Sequence, residues 1–291
     1  MSPAIQQLLA GGPVVTDGAW GTELQARGLP IGEFPDAWNL TNPEKVAEVA
    51  RAYVAAGSQV ILTNTFGANR IRLAENGLAD RVTEINRRGV EISREAAGPQ
   101  SLVFASMGPS GKLRMSGEVT AEELGAAFAE QARALAEAGA DAIVVETISD
   151  LEEGRLAIAA ARQTGLPVVA SAVFDSGREK DRTMMGNTPE QVAAAFTAAG
   201  ADVIGANCGQ GIAGFAAICK RLRAATDRAI WIKANAGLPK LVDGRAVYET
   251  QPDEFASRVP ELVQLGASFL GGCCGTNPGF IRAVARVVRG G

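Results

Sequence analysis

Two adjacent cysteines, Cys273 and Cys274, stand in Gly271-Gly272-Cys273-Cys274-Gly275-Thr276, at the end of the short apolar run Ser268-Phe269-Leu270. Neighbouring cysteines rarely bridge each other, because the ring they would close is strained. Both can ligate one soft metal ion, since thiolates are preferred ligands of zinc. A third cysteine, Cys208 in Ala206-Asn207-Cys208-Gly209, also ends an apolar run. Cysteine is equally a small buried hydrophobe, and Cys219, inside the helical-looking Phe215-Ala216-Ala217-Ile218-Cys219, reads that way. The chain contains no histidine. Ser-His-Asp and Cys-His catalysis are therefore excluded, and any metal site has to be built from sulfur or oxygen.

Three thiolates on zinc leave one tetrahedral position open. Such an electron-rich site is a poor Lewis acid for water and suits a soft ligand, a substrate thiol. Metal binding removes the thiol proton at neutral pH, so the favoured reaction is alkyl transfer to sulfur, with no general base from the protein. A structural zinc would want a fourth protein ligand, and none is obvious. Two carboxylates end strand-like runs: Asp17, in Thr16-Asp17-Gly18-Ala19-Trp20-Gly21-Thr22, and Glu146. Either can hold a substrate ammonium group, or be a loop carboxylate or helix N-cap. Gly18 would let backbone N–H groups approach a substrate carboxylate, and Asn207 or Asn64 could orient it or serve a turn.

These residues need elements to bring them together. Apolar, β-branched runs of strand length alternate with alanine-rich runs of helical period. Strands are expected near Val14-Asp17, Val60-Thr65, Leu102-Met107, Ala142-Glu146, Pro167-Val173, Val203-Asn207, Ile230-Ala234 and Ser268-Gly271. Helical patterns include Pro43-Ala56, Ala121-Ala138, Glu152-Thr164, Pro189-Ala199 and Pro252-Leu265, several opening on a capping signal at Thr41, Thr120 or Thr188. Eight such units in 291 residues predict an α/β chain folded as a single (β/α)8 TIM barrel, residues 1–291, with its site at the C-terminal mouth. An open doubly wound sheet is the alternative, weakened by the lack of a G-x-G-x-x-G turn after the first strand. Four segments share one frame, a helix ending at Gly57, Gly139, Gly200 or Gly266 followed by a strand. Aligned on that glycine, the eighth place holds Asn64, Glu146, Asn207 and Cys273, and the ninth holds Thr65, Thr147, Cys208 and Cys274. These belong to the second, fourth, sixth and eighth strands, and alternate strands of such a barrel feed the same layers. The thiols are thereby expected at one height. Gly108-Pro109-Ser110-Gly111-Lys112, Gly237-Leu238-Pro239-Lys240 and the charged Asp175–Asp181 read as loops over the mouth.

Composition sets the class. With 47% hydrophobic residues a large core is available, and a net charge of −4 without basic blocks argues against nucleic acid as a partner. Met1–Ala10 lacks the pattern of a signal peptide and no stretch approaches a membrane span, so no membrane partner is expected. Four cysteines in such a chain suggest reduced thiols in a cytoplasm. The sequence leaves room for a homo-oligomer.

Asp17-Gly18-Ala19-Trp20-Gly21-Thr22, Thr63-Asn64-Thr65-Phe66, Glu146-Thr147, Asn207-Cys208-Gly209 and Gly271-Gly272-Cys273-Cys274-Gly275-Thr276 together resemble, in order and over nearly the whole length, the homocysteine S-methyltransferase family. This is the homocysteine-binding barrel also found as the first module of cobalamin-dependent methionine synthase. The resemblance implies Zn2+ bound by Cys208, Cys273 and Cys274, homocysteine sulfur in the fourth place, and acidic residues at the positions of Asp17 and Glu146 on the homocysteine amino group. It implies a methyl donor that is betaine, a methylsulfonium such as S-methylmethionine, or methylfolate through cobalamin. Neither folate nor cobalamin modules follow the barrel in this sequence, so a small onium donor is expected. Trp20, Trp38 and Phe66 could box a quaternary ammonium by cation–π contact. Trp38, in Asp36-Ala37-Trp38-Asn39, is similar in setting to a betaine-binding tryptophan, although Gly67 stands where betaine enzymes carry a tyrosine. The alternatives are a homocysteine-activating subunit served by a methylcorrinoid partner, a non-catalytic thiolate metal-binding barrel, and a Schiff-base aldolase using Lys233 in Trp231-Ile232-Lys233-Ala234-Asn235.

Overall fold

The computed structural model describes residues 2–242 and 245–290. Among them eight parallel strands form one sheet: β1 (Val14–Val15), β2 (Val60–Ile61), β3 (Leu102–Met107), β4 (Ala142–Ile148), β5 (Val168–Ala172), β6 (Val203–Gly211), β7 (Ala229–Asn235) and β8 (Ala267–Gly272). The ladder runs β1-β8-β7-β6-β5-β4-β3-β2, so the first and second strands lie at its two ends. They meet largely through side chains. Gln59 N–H donates to the Val15 carbonyl at 2.8 Å, Val15 N–H donates to Gln59 Oε1 at 3.0 Å, and Leu62 N–H donates to Asp17 Oδ2 at 2.7 Å. The sheet is thereby the nearly closed α/β barrel that the strand–helix alternation predicts. Its first two strands are shorter than expected: beyond Ile61 side chains replace the regular ladder, whereas beyond Val15 the backbone still bonds to β8, Thr16 N–H donating to the Leu270 carbonyl at 2.8 Å and Gly272 N–H to the Asp17 carbonyl at 3.0 Å.

Alternate residues of a strand share a face. Val14, Val60, Phe104, Val144, Val169, Val203, Trp231 and Phe269 form one buried cluster inside the ring of strands, joined by Ile5 from the N-terminal helix Pro3–Leu9. The rings of Phe104, Trp231 and Phe269 pack with centroids 5.3 to 6.5 Å apart. A Cβ on Gly205 would run into the backbone and Cβ of Trp231, so β6 carries a glycine beside that residue. Counting on in twos toward the C-terminal ends of the strands leads from this apolar layer to Ser106, Glu146, Ser171, Asn207, Lys233 and Cys273. The barrel is thus greasy below and polar at its mouth. A larger apolar cluster fills the space between strands and surrounding helices.

The four frame glycines turn each helix into its strand. Gly57, Gly139, Gly200 and Gly266 have φ of 101°, 91°, 93° and 98°, a region that side chains with a Cβ avoid. Thr120 and Thr188 close capping boxes with Glu123 and Gln191. Thr41 does not cap: Asn42 holds that position, and the Thr41 hydroxyl donates instead to the Ala37 carbonyl at 3.3 Å. The helix expected over Pro252–Leu265 is two, Pro252–Ser257 and Val259–Gln264. Pro260 lacks the N–H that a continuous helix needs and its ring crowds the preceding turn. The segment after Gly237 holds an antiparallel pair, Lys240–Val242 with Arg245–Val247, where a plain loop was expected. Among the described residues, no helix is long and apolar enough to cross a membrane.

Candidate metal centre

The three cysteines of the shared frame converge. The Sγ atoms of Cys208, Cys273 and Cys274 all lie within 4.8 Å of one another, and those of Cys208 and Cys274 are 3.8 Å apart. Tetrahedral zinc with Zn–S bonds of about 2.3 Å sets its sulfurs about 3.8 Å apart, so the donor set and its spacing fit such an ion. Backbone geometry builds the cluster. Cys208 takes a left-handed conformation with φ of 61° at the end of β6. Cys273 N–H donates to the Ala234 carbonyl at 2.7 Å and Ala236 N–H to the Cys274 carbonyl at 3.0 Å, which locks the Cys-Cys turn onto the end of β7. Thr276 Oγ1 donates to the Cys273 carbonyl at 2.8 Å and accepts from Ala19 N–H at 3.2 Å, tying the turn to the segment after β1.

Contact with the Cys273 and Cys274 sulfurs holds the Cys208 thiol far below the usual range, while contact with Cys208 and burial push the Cys273 and Cys274 thiols up. The neighbouring Asn235 side chain also helps to lower the Cys208 thiol, and its Oδ1 is buried without a partner among the described residues. Cys219 lies elsewhere, in the helix Phe215–Ala225, with its thiol 3.9 and 3.8 Å from the Leu262 and Leu265 carbonyls. Burial pushes that thiol up to about 11, the opposite of a ready ligand. Tyr248, carried by the segment after the antiparallel pair, lays its ring on Gly275. Burial and the neighbouring thiols push its phenol up to about 12.

Beside the sulfurs stands a charged group of three. Glu146 keeps only 7% of its surface, and its Oε1 accepts from Ser106 Oγ at 2.5 Å. Burial raises its carboxyl, against the lowering effect of Lys233. Asp17 has no exposed surface. Its Oδ1 pairs with Lys233 Nζ at 2.5 Å, and its Oδ2 accepts from Trp20 Nε1 at 2.8 Å and Leu62 N–H at 2.7 Å. Burial would lower the Lys233 ammonium, but Asp17 and Glu146 more than offset it and the net shift is upward. A Schiff-base lysine has to be neutral to attack a carbonyl, so the aldolase alternative loses its nucleophile.

Asn207 braces both β4 and the cysteine cluster: its Oδ1 accepts from Thr147 N–H at 2.9 Å and Ser171 Oγ at 2.7 Å, and its Nδ2 donates to Thr147 Oγ1 at 2.7 Å and to Cys273 Sγ at 3.9 Å. It thereby supports Thr147 at φ 62°, a costly conformation for a β-branched residue. Asn64 is drawn away from the cysteines to the Pro35 carbonyl and Asn39 Oδ1, at 2.8 and 3.0 Å. The Gly18 N–H has no partner among the described residues. Trp20 stays half-buried over Asp17, and Phe66 lies against Gly108. Trp38 is 95% buried in the core outside the barrel, its indole N–H donating to Glu33 at 2.9 Å. Sequence reasoning weighed Lys233 for a different chemistry and missed Ser106, Asn235 and Tyr248. Strand parity would have found the first two, by stepping from Phe104 and from Lys233. Nothing in the sequence pattern places Tyr248.

The sequence pattern described as homocysteine S-methyltransferase matches residues 14–288. Methionine synthase of Mycobacterium tuberculosis is 34% identical over 94% of this chain and 24% of its own length. Methionine synthase of Mycobacterium leprae is 33% identical over 97% of this chain and 25% of its own. The chain thus spans about a quarter of the length of these relatives. Among solved structures, the metallated form of the homocysteine methyltransferase MmuM from Escherichia coli superposes with a TM-score of 0.81 at 25% identity, covering 98% of this chain and 99% of that one.

Proposed function

The chain belongs to the homocysteine S-methyltransferase family, and from that premise we propose that residues 1–291 act as one domain moving a methyl group from a small onium donor to the sulfur of homocysteine, giving methionine. The observation that carries this reading is the meeting of three cysteine sulfurs with a buried carboxylate, Glu146, one of whose oxygens has no hydrogen-bond partner among the described residues. Zinc is the metal the all-sulfur donor set suits, and when bound it would keep a substrate thiol deprotonated at neutral pH. Cys208, Cys273 and Cys274 would hold it. Glu146 takes the substrate ammonium group, with Asp17 part of the same anionic wall. The Gly18 N–H and the Asn207-supported turn at Thr147 orient the substrate carboxylate. Trp20 and Phe66 offer aromatic surface to the donor cation, with Trp38 behind them in the core. The carbon–nitrogen or carbon–sulfur bond of the onium breaks as the new carbon–sulfur bond forms. The donor leaves as a neutral amine or thioether, so no acid is needed at the leaving atom. The free thiols fit a reducing compartment, the cytoplasm.

The test is zinc-loaded protein with homocysteine and, in turn, betaine, S-methylmethionine and S-adenosylmethionine, analysed for methionine. Methionine from one of them supports the reading. Methionine only on adding a methylated corrinoid protein overturns the donor assignment and favours the homocysteine-activating alternative. No methionine under any condition, with zinc retained, leaves the non-catalytic metal-binding barrel.

A further inference from the structure

We propose that Asn207 is a positioning residue that makes the Cys273 sulfur a poor nucleophile, so that a methyl donor reacts at the substrate thiol and spares the metal ligand. The assignment rests on the reading above of a metal held by three thiolates beside such a donor. A thiolate on zinc stays nucleophilic, and a centre that activates a substrate sulfur activates its own cysteines by the same means. Attack by a cysteine would form a carbon–sulfur bond on the protein and release the donor as a neutral amine or thioether. A neutral thioether would then stand where the metal needs a thiolate. Cys273 is the thiol most in need of restraint, because it is the one that shares the inner layer of the barrel mouth with Glu146 and Asn207.

The surroundings of Asn207 dictate which way its amide faces. The side chain is fully buried on β6. Thr147 N–H can only donate, so the carboxamide oxygen has to meet it, and Ser171 Oγ fills the second lone pair of that oxygen. The NH2 is thereby turned to Thr147 Oγ1 with one hydrogen and to Cys273 Sγ with the other. All four hydrogen-bonding places of the carboxamide are taken, and none is left for a substrate. Three of the bonds reach β4 and β5 and hold the group still, so the fourth is an N–H fixed on the sulfur. Hydrogen bonds to a ligand sulfur draw charge away from it and tune the metal centre it serves. Cys208 and Cys274 meanwhile face each other at 3.8 Å.

Limited alkylation of the zinc-loaded protein with iodoacetamide tests this. A cysteine sulfur displaces iodide, and fragment spectra of the peptide that holds Cys273 and Cys274 locate each label. The ratio of label on Cys273 to label on Cys274 follows the reactivity of one sulfur, since general loosening of the turn exposes both. Asn207→Asp keeps the acceptor for Thr147 and Ser171 and removes the N–H donors, while Asn207→Leu removes every bond at similar size. Each should raise the ratio about fivefold, the effect of one ordinary hydrogen bond. Thr147→Ala takes away the hydroxyl beside the amide, leaves the N–H on the sulfur, and should keep the parent ratio. In cobalt(II)-loaded protein the sulfur-to-cobalt charge-transfer band should move to lower energy in the Asn207 variants and stay in place in Thr147→Ala. An unchanged ratio in the Asn207 variants with zinc bound would overturn the proposal and spare the metal centre. So would a rise in Thr147→Ala as large as theirs, or zinc lost from both Asn207 variants, either of which would make the amide a structural brace alone. Failure of the unaltered protein to hold zinc would overturn the three-thiolate centre and this assignment together.

Discussion

Cys208 and Cys219 differ by environment, and the difference is measurable. Cys208 has its sulfur among two others and a lowered thiol, whereas Cys219 is packed in a helix with a raised one. Replacing Cys208 with alanine removes a ligand and should weaken zinc binding by more than the roughly 100-fold typical of losing a supporting contact. Cys219→Ala should retain the full metal content in the same elemental analysis. Equal zinc in the two variants would refute the ligand set. A second residue, Asp36, is 3% exposed, accepts from Gly67 N–H at 2.8 Å, and is raised by burial from 3.8 to about 7. Because the folded value lies above the unfolded one, the stabilisation is complete below about pH 4 and is lost as pH climbs through 7. Asp36→Asn keeps the acceptor for Gly67 and removes the charge. It should match the parent near pH 4 and exceed it at pH 8 by up to about 4 kcal/mol in urea melts. A parent at least as stable as the variant at pH 8 would contradict the burial argument.

At the scale of elements, local chemistry decides where each strand begins and what it delivers. The capping boxes at Thr120 and Thr188 start the helices Ala121–Glu137 and Pro189–Ala199. Thr120→Ala and Thr188→Ala should each lower stability by about 1 kcal/mol, with the losses adding in the double variant because the two caps share no partner. All eight strands were legible from apolar runs, and so was the convergence of the cysteines, because one glycine-led frame repeats with fixed spacing and fixes the height at which each strand ends. The same frame does not decide the role of Asn64. Its position in the count is right, but Pro35 and Asn39 compete for its amide, and such a competitor, drawn from a different part of the chain, leaves no periodic trace. Trp38 is a related case. Its neighbours in sequence suggest the mouth, while the short helix Trp38–Thr41 turns its ring into the core. The split at Arg258 was in the sequence as Pro260 and was overridden by the helical period around it.

For the whole molecule, the division into an apolar lower barrel and a polar mouth follows from strand parity, and it puts the chemistry where loops can vary without touching the core. The fold was readable at this scale because a parallel barrel needs only alternation and count. The seam was not, since nothing in the order of residues says which two strands will be joined by side chains. That seam couples breathing of the barrel to the state of its pocket. Asp17 fastens β1 to the Leu62 amide with the carboxylate that also pairs with Lys233 beside Glu146. Parting of the two strands and unmaking of the pocket wall are consequently one fluctuation, and the Leu62 amide proton keeps time for it. Deuterium should enter that amide more slowly when zinc and homocysteine fill the mouth, and faster in Lys233→Met, whose pocket wall has lost its clamp. A Leu62 exchange rate indifferent to both would mean that the barrel opens elsewhere and that its chemistry and its breathing are separate affairs.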